Sequence, residues 1–187
     1  MNLHDPLPKT PDEFLRWNAY REGKREFVKG RVVEMMINTT RNHAMVSARL
    51  LNFIFNALGR DAVDYVVTSA DFGLQTDDDI RYPDVLVERA GGAGEALATS
   101  EPIVVAEVLS KSTAHIDFGE KAIEYLKIES LRHYLVLAQD EPTVWLWSRD
   151  AEGKFGEPQI ISDAEAEIDL SGLGISISVA DIFRGIA

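Results

Sequence analysis

Three side chains in the middle of the chain, Asp84, Glu107 and Lys121, have the types and spacing of a hydrolytic centre. An Asp at the start of one strand and a Glu on its neighbour can offer hard oxygen ligands to Mg²⁺ or Mn²⁺, which keep several waters and accept phosphate oxygens. A lysine near that pair can orient or deprotonate an attacking water and stabilise charge on a phosphoryl group. The pattern predicts a divalent-cation site that acts on phosphate.

Strand alternation predicts where the two carboxylates point. An apolar strand over residues 103–109 contains Glu107, which alternation places on the same side as Ile103 and Val105. Asp84 begins the preceding strand and is expected to face inward as well. A buried carboxylate is costly unless it is hydrogen-bonded, paired or bound to a metal, so two inward carboxylates favour a cation.

Each of these residues also has a simpler structural explanation. Asp84 could cap the start of its strand or accept backbone hydrogen bonds, and Glu107 could form a buried pair with Lys121. Apolar replacements of a buried ion pair often equal it in stability, which favours the metal site over the pair. Lys111, in the loop after Glu107, is the second candidate for the amine.

The lysine is expected to come from a helix that runs to about residue 128. Asp117, Lys121 and Tyr125 are spaced by four residues, so they lie along one face of that helix. Taken alone, Lys121 would be an ordinary surface lysine paired with Asp117, and Tyr125 would be a core residue.

The rest of the chain shows the patterns of alternating helices and strands. A capping box begins a helix that runs to about Tyr20, and residues 26–36 alternate around a glycine as in a hairpin. Thr39 or Thr40 caps a long helix that ends at Gly59. Further strands are predicted at residues 63–69, 72–75, 84–88, 133–138 and 143–147, with short edge strands and a helical turn near residues 180–183 in the tail.

This order of elements predicts an α/β (α+β) fold with a mixed central sheet, mostly antiparallel and partly parallel, flanked by helices. The chain has 187 residues and 45% hydrophobic content, which suits one domain with a sizeable core. Residues 1–187 are therefore expected to form a single domain, with the acidic tail, residues 149–187, packed on it.

Composition excludes several chemistries. The chain has no cysteine, which rules out disulfides, thiolate metal sites and cysteine nucleophiles. No apolar run approaches the roughly 20 residues of a membrane helix, so we expect a soluble, cytoplasmic protein with no membrane partner. The net charge of −12 argues against a polyanionic partner, although residues 1–50 have more Lys and Arg than Asp and Glu.

The densest basic group lies near the beginning of the chain. We expect it to be a solvated helix end and hairpin rather than a nucleic-acid footprint, because neighbouring glutamates dilute its charge. Its members are Arg21, Lys24, Arg25, Lys29 and Arg31.

Several stretches of the chain form a joint pattern. They are Tyr82-Pro83-Asp84-Val85, the run from Val105 to Thr113, the positions Asp117, Lys121 and Tyr125, and an opening segment from Arg25 to Gly30 together with His43. Taken together they resemble the Uma-two family of restriction-endonuclease-like proteins, within the PD-(D/E)xK nuclease superfamily. The similarity covers most of the chain, from the first helix to about Trp147.

The resemblance implies the superfamily's core, a restriction-endonuclease-like mixed central sheet flanked by helices, with a metal-dependent site that cleaves phosphodiesters. By position it implies that Asp84 and Glu107 are metal ligands, with the backbone carbonyl of Val108 as a third. It also implies that Glu26 is an additional acidic member of the site, although Glu26 could instead be an exposed hairpin residue.

The chain departs from the pattern at Lys29, Arg31 and Lys111, of which Lys111 alters the loop beside the metal site, and at Leu109. The usual lysine, two residues after the glutamate, is replaced here by Leu109, so its role passes to Lys121 on the helix. We expect His43, near the positive end of the long helix, to be a neutral packing or hydrogen-bonding histidine rather than a catalytic one.

The predicted function is that of a magnesium- or manganese-dependent endonuclease that hydrolyses phosphodiester bonds, with nucleic acid, and DNA in particular, as its substrate. Two other classes stay open. A catalytically degenerate nuclease fold could act as a binding or regulatory module, which the negative charge and Leu109 would suit. An acidic interaction protein could instead form a homodimer that buries exposed apolar strands such as residues 144–147.

Overall fold

A computed structural model of the chain describes residues 6–35, 38–59, 64–110 and 116–186. Its helices are α1 (Pro11–Asn18), α2 (Arg41–Leu58), α3 (Ala122–Tyr125) and α4 (Val179–Phe183), and a π-helical turn, Asp117–Lys121, directly precedes α3. Within these stretches, no helix combines the length and the apolar character needed to cross a membrane.

The strands are short except for the central ones. In chain order they are β1 (Arg25–Val28), β2 (Arg31–Glu34), β3 (Tyr65–Ser69), β4 (Gly73–Gln75), β5 (Ile80–Arg81), β6 (Val85–Arg89), β7 (Ala98–Thr99), β8 (Pro102–Val108), β9 (His133–Leu137), β10 (Val144–Ser148), β11 (Gln159–Ile161), β12 (Glu167–Leu170) and β13 (Ile175–Ser178).

The predicted mixed central sheet is confirmed. Six strands lie in the order β11-β10-β9-β8-β6-β3, and all neighbours are antiparallel except β8 and β9, which are parallel. A second sheet in the order β2-β1-β5-β4-β7 contains the predicted hairpin, β1 and β2. It was not predicted as a separate layer, because β5 and β7 have only two residues each and show no alternation. Residues 82–84 connect the end of β5, in this second sheet, to the start of β6.

The two longer helices begin where their sequence signals predict. The side chain of Thr10 accepts a hydrogen bond from the Glu13 N–H at the start of α1, and the side chain of Thr40 accepts one from the His43 N–H at the start of α2. Gly59 ends α2 with φ of +85°, a conformation that favours glycine. The predicted helix of the site is shorter than expected, since α3 ends at Tyr125.

Two apolar clusters pack on opposite faces of the six-stranded sheet. The α2 cluster joins α2 to the inner side chains of the sheet, and it includes Ile168, Leu170 and Phe183 from the tail. The α3 cluster lies on the other face and includes Val105 and Tyr125. The π-helical turn and α3 are therefore held against one face of the sheet, while α2 and the tail cover the other.

A β-bulge corrects one prediction about β8. Val87 pairs with Val104, but Glu88 pairs with Pro102, which leaves Ile103 as an extra residue. Alternation stops at such a residue, so Ile103 lies in the α2 cluster while Val105 lies in the α3 cluster. The prediction that Ile103 shares a side with Val105 is therefore wrong.

Strand β10 does not offer the exposed apolar surface that the homodimer hypothesis required. It pairs with β9 on one side and with β11 on the other, and the side chains of Val144, Leu146 and Trp147 are buried. The pattern of residues 144–147 is that of an interior strand, which sequence alternation does not distinguish from an exposed apolar edge.

Candidate active site

The antiparallel register of β6 and β8 places Asp84 opposite Glu107. Leu86 pairs with Val105, and two residues further along the same register lie Asp84 and Glu107. Leu86 and Val105 both belong to the α3 cluster, and side chains two residues apart share a face. Glu107 therefore projects toward the side of the sheet that holds the π-helical turn and α3. Asp84, the residue just before β6, lies close enough for its charge to act on Glu107.

Glu107 is buried and paired with a lysine from that turn. The Nζ atom of Lys121 lies 2.9 Å from Oε1 of Glu107 and 3.2 Å from Oδ1 of Asp117, and the Tyr125 hydroxyl donates to the same Oε1 at 3.0 Å. Glu107, Asp117 and Lys121 are each no more than 4% exposed. We call these three residues and Asp84 the acidic centre. The predicted helical spacing thus brings Lys121 and Tyr125 to one carboxylate, and π-helical turns of this kind occur frequently at functional sites.

Burial changes the acid–base properties of the pair. Burial, reinforced by the charges of Asp117 and Asp84 and opposed by that of Lys121, raises the pKa of Glu107 to about 8. For Lys121, burial disfavours the ammonium, but the surrounding carboxylates, Glu107 foremost, outweigh it and raise the pKa above its ordinary value. Lys121 therefore stays protonated at neutral pH.

Asp84 lies where the chain passes between the two sheets, and it has two partners. Its Oδ2 accepts a hydrogen bond from the Val108 N–H at 2.8 Å and lies 3.3 Å from Nε2 of His43. The simpler explanation from the sequence, that Asp84 accepts a backbone hydrogen bond, is thus part of its role. A carboxylate has about four acceptor positions, so this bond leaves room for a cation.

His43 lies in the first turn of α2, and its ring contacts Asp84 on one side. Its Nδ1 is 3.5 Å from the Ser47 hydroxyl on the other side. The contacts are those of a hydrogen-bonding histidine, as predicted. No sequence pattern indicated the contact with Asp84, because the two residues are far apart along the chain and belong to different layers.

A buried arginine, which the sequence analysis did not identify as part of the site, holds a second acidic group beside the centre. Arg81 donates a hydrogen bond to Oε2 of Glu26 at 2.9 Å. It also donates two hydrogen bonds to the Glu124 carboxylate in a bidentate arrangement, at 2.7 and 2.9 Å. Oε1 of Glu26 accepts from the Tyr82 N–H at 3.3 Å. Glu26 is only 3% exposed, so the alternative of an exposed hairpin residue is wrong.

An open groove of about 1370 Å³ gives access to these groups. The predicted site residues that line it are Glu26, Asp84, Glu107, Val108 and Lys121, and His43 lies on its wall as well. Lys111, the second candidate for the amine, lies outside the described residues. Leu109 packs against the α3 cluster, at the position where the resemblance led us to look for a lysine.

The predicted oxygen ligands suit a hard cation that binds few protein groups and keeps several waters. Among the described residues, no group of three or more His, Asp or Glu side chains is arranged to hold a metal ion. The predicted set is smaller, with two carboxylates and one backbone carbonyl, and Mg²⁺ commonly binds through one or two carboxylates and keeps several waters. The local charge also suits a cation, since four carboxylates besides Glu107 outnumber the two cations Arg81 and Lys121; they are Glu26, Asp84, Asp117 and Glu124.

Comparison with known proteins gives relatives of similar length. The chain is 29% identical to the uncharacterized protein slr1290 of Synechocystis sp. over 97% of this chain and 95% of that protein. It is 26% identical to the uncharacterized protein sll1609 of the same organism over 70% and 75% of the two chains.

A solved structure shares the fold. It is described as a "putative nuclease belonging to DUF820" from Anabaena variabilis, and it matches with a TM-score of 0.75 and 16% identity over 96% of this chain and 100% of that one. The sequence model of the family Uma2, described as "Putative restriction endonuclease", matches residues 11–180. This match confirms the resemblance found in the motifs and spans the acidic centre and the elements that position it, so the chain belongs to the Uma2 family.

Proposed function

We propose that the protein is a metal-dependent nuclease that hydrolyses phosphodiester bonds in nucleic acid, with DNA as the expected substrate. The observation that supports this most directly is the buried Glu107–Lys121 pair, which lies opposite Asp84 on the wall of an open groove. The description of the family and that of the Anabaena variabilis structure both name nucleases, which supports the class of reaction.

Asp84, Glu107 and the backbone carbonyl of Val108 would hold Mg²⁺ or Mn²⁺. When bound, such an ion polarises a phosphoryl oxygen and lowers the pKa of a coordinated water. Glu107 comes from β8, which is buried throughout, and Asp84 is the residue just before β6, at the facing position of the same register. The ligands are thus held by the buried central strands of the sheet.

Lys121 acts as a donor and a positive charge. Its raised pKa keeps the ammonium protonated, so it is unsuited to remove a proton from water. It can donate a hydrogen bond to an attacking water or to a phosphoryl oxygen and neutralise the charge that develops there. Of the two roles open from the sequence, the structure favours orientation and charge stabilisation.

Three further residues position these groups. The Tyr125 hydroxyl and the Asp117 carboxylate hold Glu107 and Lys121 from the helical side. Arg81 holds Glu26 and Glu124, so the negative charge next to the centre is partly neutralised before a cation binds. An acidic site with this support keeps its ligands in place without the metal.

A non-catalytic binding module is the second candidate. The observation that favours it is that Lys121 is already paired with both Glu107 and Asp117, while Leu109 occupies the superfamily's usual lysine position. A protein of this kind would bind nucleic acid in the groove and leave it intact.

The deciding experiment incubates supercoiled and linear DNA with the purified protein, with and without Mn²⁺. We expect cation-dependent cleavage by the wild type, loss of cleavage in Asp84→Ala and Glu107→Gln, and a reduction of at least about 100-fold in Lys121→Met. Glu101→Gln is the matched control, because Glu101 is exposed and lies just before the same strand. Cleavage that persists in Glu107→Gln, or that needs no cation, would refute the mechanism.

A further inference from the structure

The basic group near the beginning of the chain is divided by the fold. Lys29 pairs with Glu120, and Arg31 is exposed outside the groove. Arg21, Lys24 and Arg25 instead line the same groove as the acidic centre. The Arg25 side chain is only 17% exposed and so differs from the solvated surface that the sequence predicted, whereas Lys24 is exposed as expected.

Strand β1 places Arg25 against helix α1. Phe27 and Arg25 share one face of the strand, and Phe27 stacks on Phe14 of α1 with ring centroids 5.6 Å apart. The Arg25 guanidinium therefore reaches Trp17, one turn further along α1, at 5.7 Å from the ring centroid. The Arg21 guanidinium stacks on the same ring at 4.2 Å.

Two hydrogen-bond donors at this place are buried without an acceptor. Among the described residues, neither Nε1 of Trp17 nor Nη1 of Arg25 has a hydrogen-bond partner. The carboxylate of Glu34 is largely exposed and lies 3.8 Å from Nε of Arg25, a different atom. Most buried donors in folded proteins are satisfied, so unmet donors on two neighbouring side chains favour an acceptor that a ligand supplies.

We propose that Trp17, Arg21 and Arg25 form a subsite for a phosphate of the nucleic-acid backbone, separate from the phosphate that is cleaved. A phosphodiester oxygen accepts hydrogen bonds from arginine and indole N–H groups, and guanidinium suits it in both charge and shape. The subsite rests on the proposed function, because the strand that occupies it would continue along the groove to the acidic centre.

The location of the subsite resolves the conflict between an acidic chain and an anionic partner. The chain has a net charge of −12, and its excess of positive charge is confined to its first 50 residues. Arg21, Lys24 and Arg25 bring part of that excess to the groove. The backbone phosphate is therefore attracted to the part of the groove that these three residues line, and the acidic centre is left to the bound cation.

The test measures binding of a fluorescein-labelled DNA duplex by anisotropy, without added metal and over a series of salt concentrations. Arg25→Gln is expected to weaken binding about tenfold, the effect of losing one charge-assisted hydrogen bond. It should also reduce the slope of log K against log salt by about 0.9, the value for one phosphate contact. Trp17→Phe keeps an aromatic ring, although a smaller one, but removes the N–H, and it should weaken binding about threefold.

Arg31→Gln is the matched control, because it removes the same charge from an exposed position outside the groove. It should leave affinity and slope unchanged. Wild-type affinity and slope in Arg25→Gln, or an equal loss in Arg31→Gln, would overturn the subsite. Thermal melts check that each variant folds, and if Arg25→Gln does not fold, wild-type affinity in Trp17→Phe overturns the proposal instead.

A second arm uses inorganic phosphate. If phosphate raises the melting temperature of the wild type but not of Arg25→Gln while the duplex does not bind, the ligand is a small phosphate compound and the backbone assignment is overturned. DNA binding that depends on Arg25 in a wild type that does not cleave DNA with Mn²⁺ would support the subsite and refute the proposed nuclease. DNA cleavage together with DNA binding that does not depend on Arg25 would support the proposed nuclease and refute the subsite.

Discussion

Binding of Mn²⁺ is expected to weaken steeply as the pH falls below 8, because Glu107 must be ionised to ligate the ion. Burial raises the pKa of this carboxyl from an ordinary value of 4.5 to about 8. Metal ligands bind in their deprotonated form, so protons compete with the metal. About a tenth of the protein would have Glu107 ionised at pH 7. Each further unit by which the pH falls would lower the apparent affinity for Mn²⁺ about tenfold.

This dependence can be measured as a thermal shift. A ligand that binds only the folded state stabilises it, and a tenfold change in affinity is worth about 1.4 kcal/mol when the metal is in excess. For a chain of this size that corresponds to about 3 to 6 °C in Tm. The Tm increment produced by a fixed Mn²⁺ concentration should therefore grow by about that amount per unit between about pH 6 and pH 8, and then level off.

Glu107→Gln is the decisive variant. Its amide neither titrates in this range nor offers a negative charge, so its Mn²⁺ increment should be small and independent of pH. Glu101→Gln, the exposed control, should follow the wild type. An equal increment at pH 6 and above pH 8 in the wild type, or a full increment in Glu107→Gln, would refute the assignment of Glu107 as a titrating ligand.

The metal-free protein supplies an independent check of the same pKa. The folded state binds the Glu107 proton more tightly than the unfolded state, so the associated stability is fully present below about pH 4.5 and is lost as the pH rises through about 8. Without metal, the wild type should therefore lose stability relative to Glu107→Gln between pH 5 and pH 9, which is the reverse of the trend with Mn²⁺.

Three further predictions concern the framework of the site. Arg81→Met leaves Glu26 and Glu124 without their buried cation and should lower the free energy of unfolding by about 3 to 5 kcal/mol in urea titrations; a loss below about 1 kcal/mol would show that the carboxylates find other partners. Leu50→Ala removes a fully buried side chain of the α2 cluster and should cost about 2 to 5 kcal/mol by the same assay. Thr40→Ala removes the cap of α2 and should cost about 1 kcal/mol, and an unchanged midpoint would count against the cap.

Local signals were sufficient for the main elements. Thr40 and Gly59 bound α2 because a capping side chain and a glycine with positive φ satisfy requirements of the helix ends themselves. The apolar run of β8 was recognisable as a central strand because a strand buried on both faces excludes polar residues almost throughout. Glu107 is the exception in that run, which is why it could be singled out.

Alternation predicted that Asp84 and Glu107 face inward, but the direction of each side chain in β8 also depends on how the strands pair. The bulge at Ile103 reverses the direction in which that side chain points, and no sequence pattern indicates the bulge. Glu107 escapes this effect because the register from Val105 onward is regular. Glu107 is buried as alternation predicted, because the irregularity lies before it in the strand.

The contacts of Arg81 with Glu26 and Glu124 could not be predicted from sequence patterns. Arg81 and Glu124 are 43 positions apart and come from the second sheet and from α3, which meet only when both layers pack together. Each residue taken alone fits a strand end or a helix surface. Their pairing depends on burial that only the assembled layers create.

The sequence by itself determined the order of helices and strands, the family, and the inward placement of two carboxylates with a lysine four residues after Asp117. These features depend on periodicity and on residue type, which are properties of neighbouring positions in the chain. The tertiary structure decided the burial that raises the pKa of Glu107, the capture of Glu26 by Arg81, and the unmet donors of Trp17 and Arg25 beside the groove. Those properties depend on the solvent and the charges around a group, and both are set by segments that are distant in sequence.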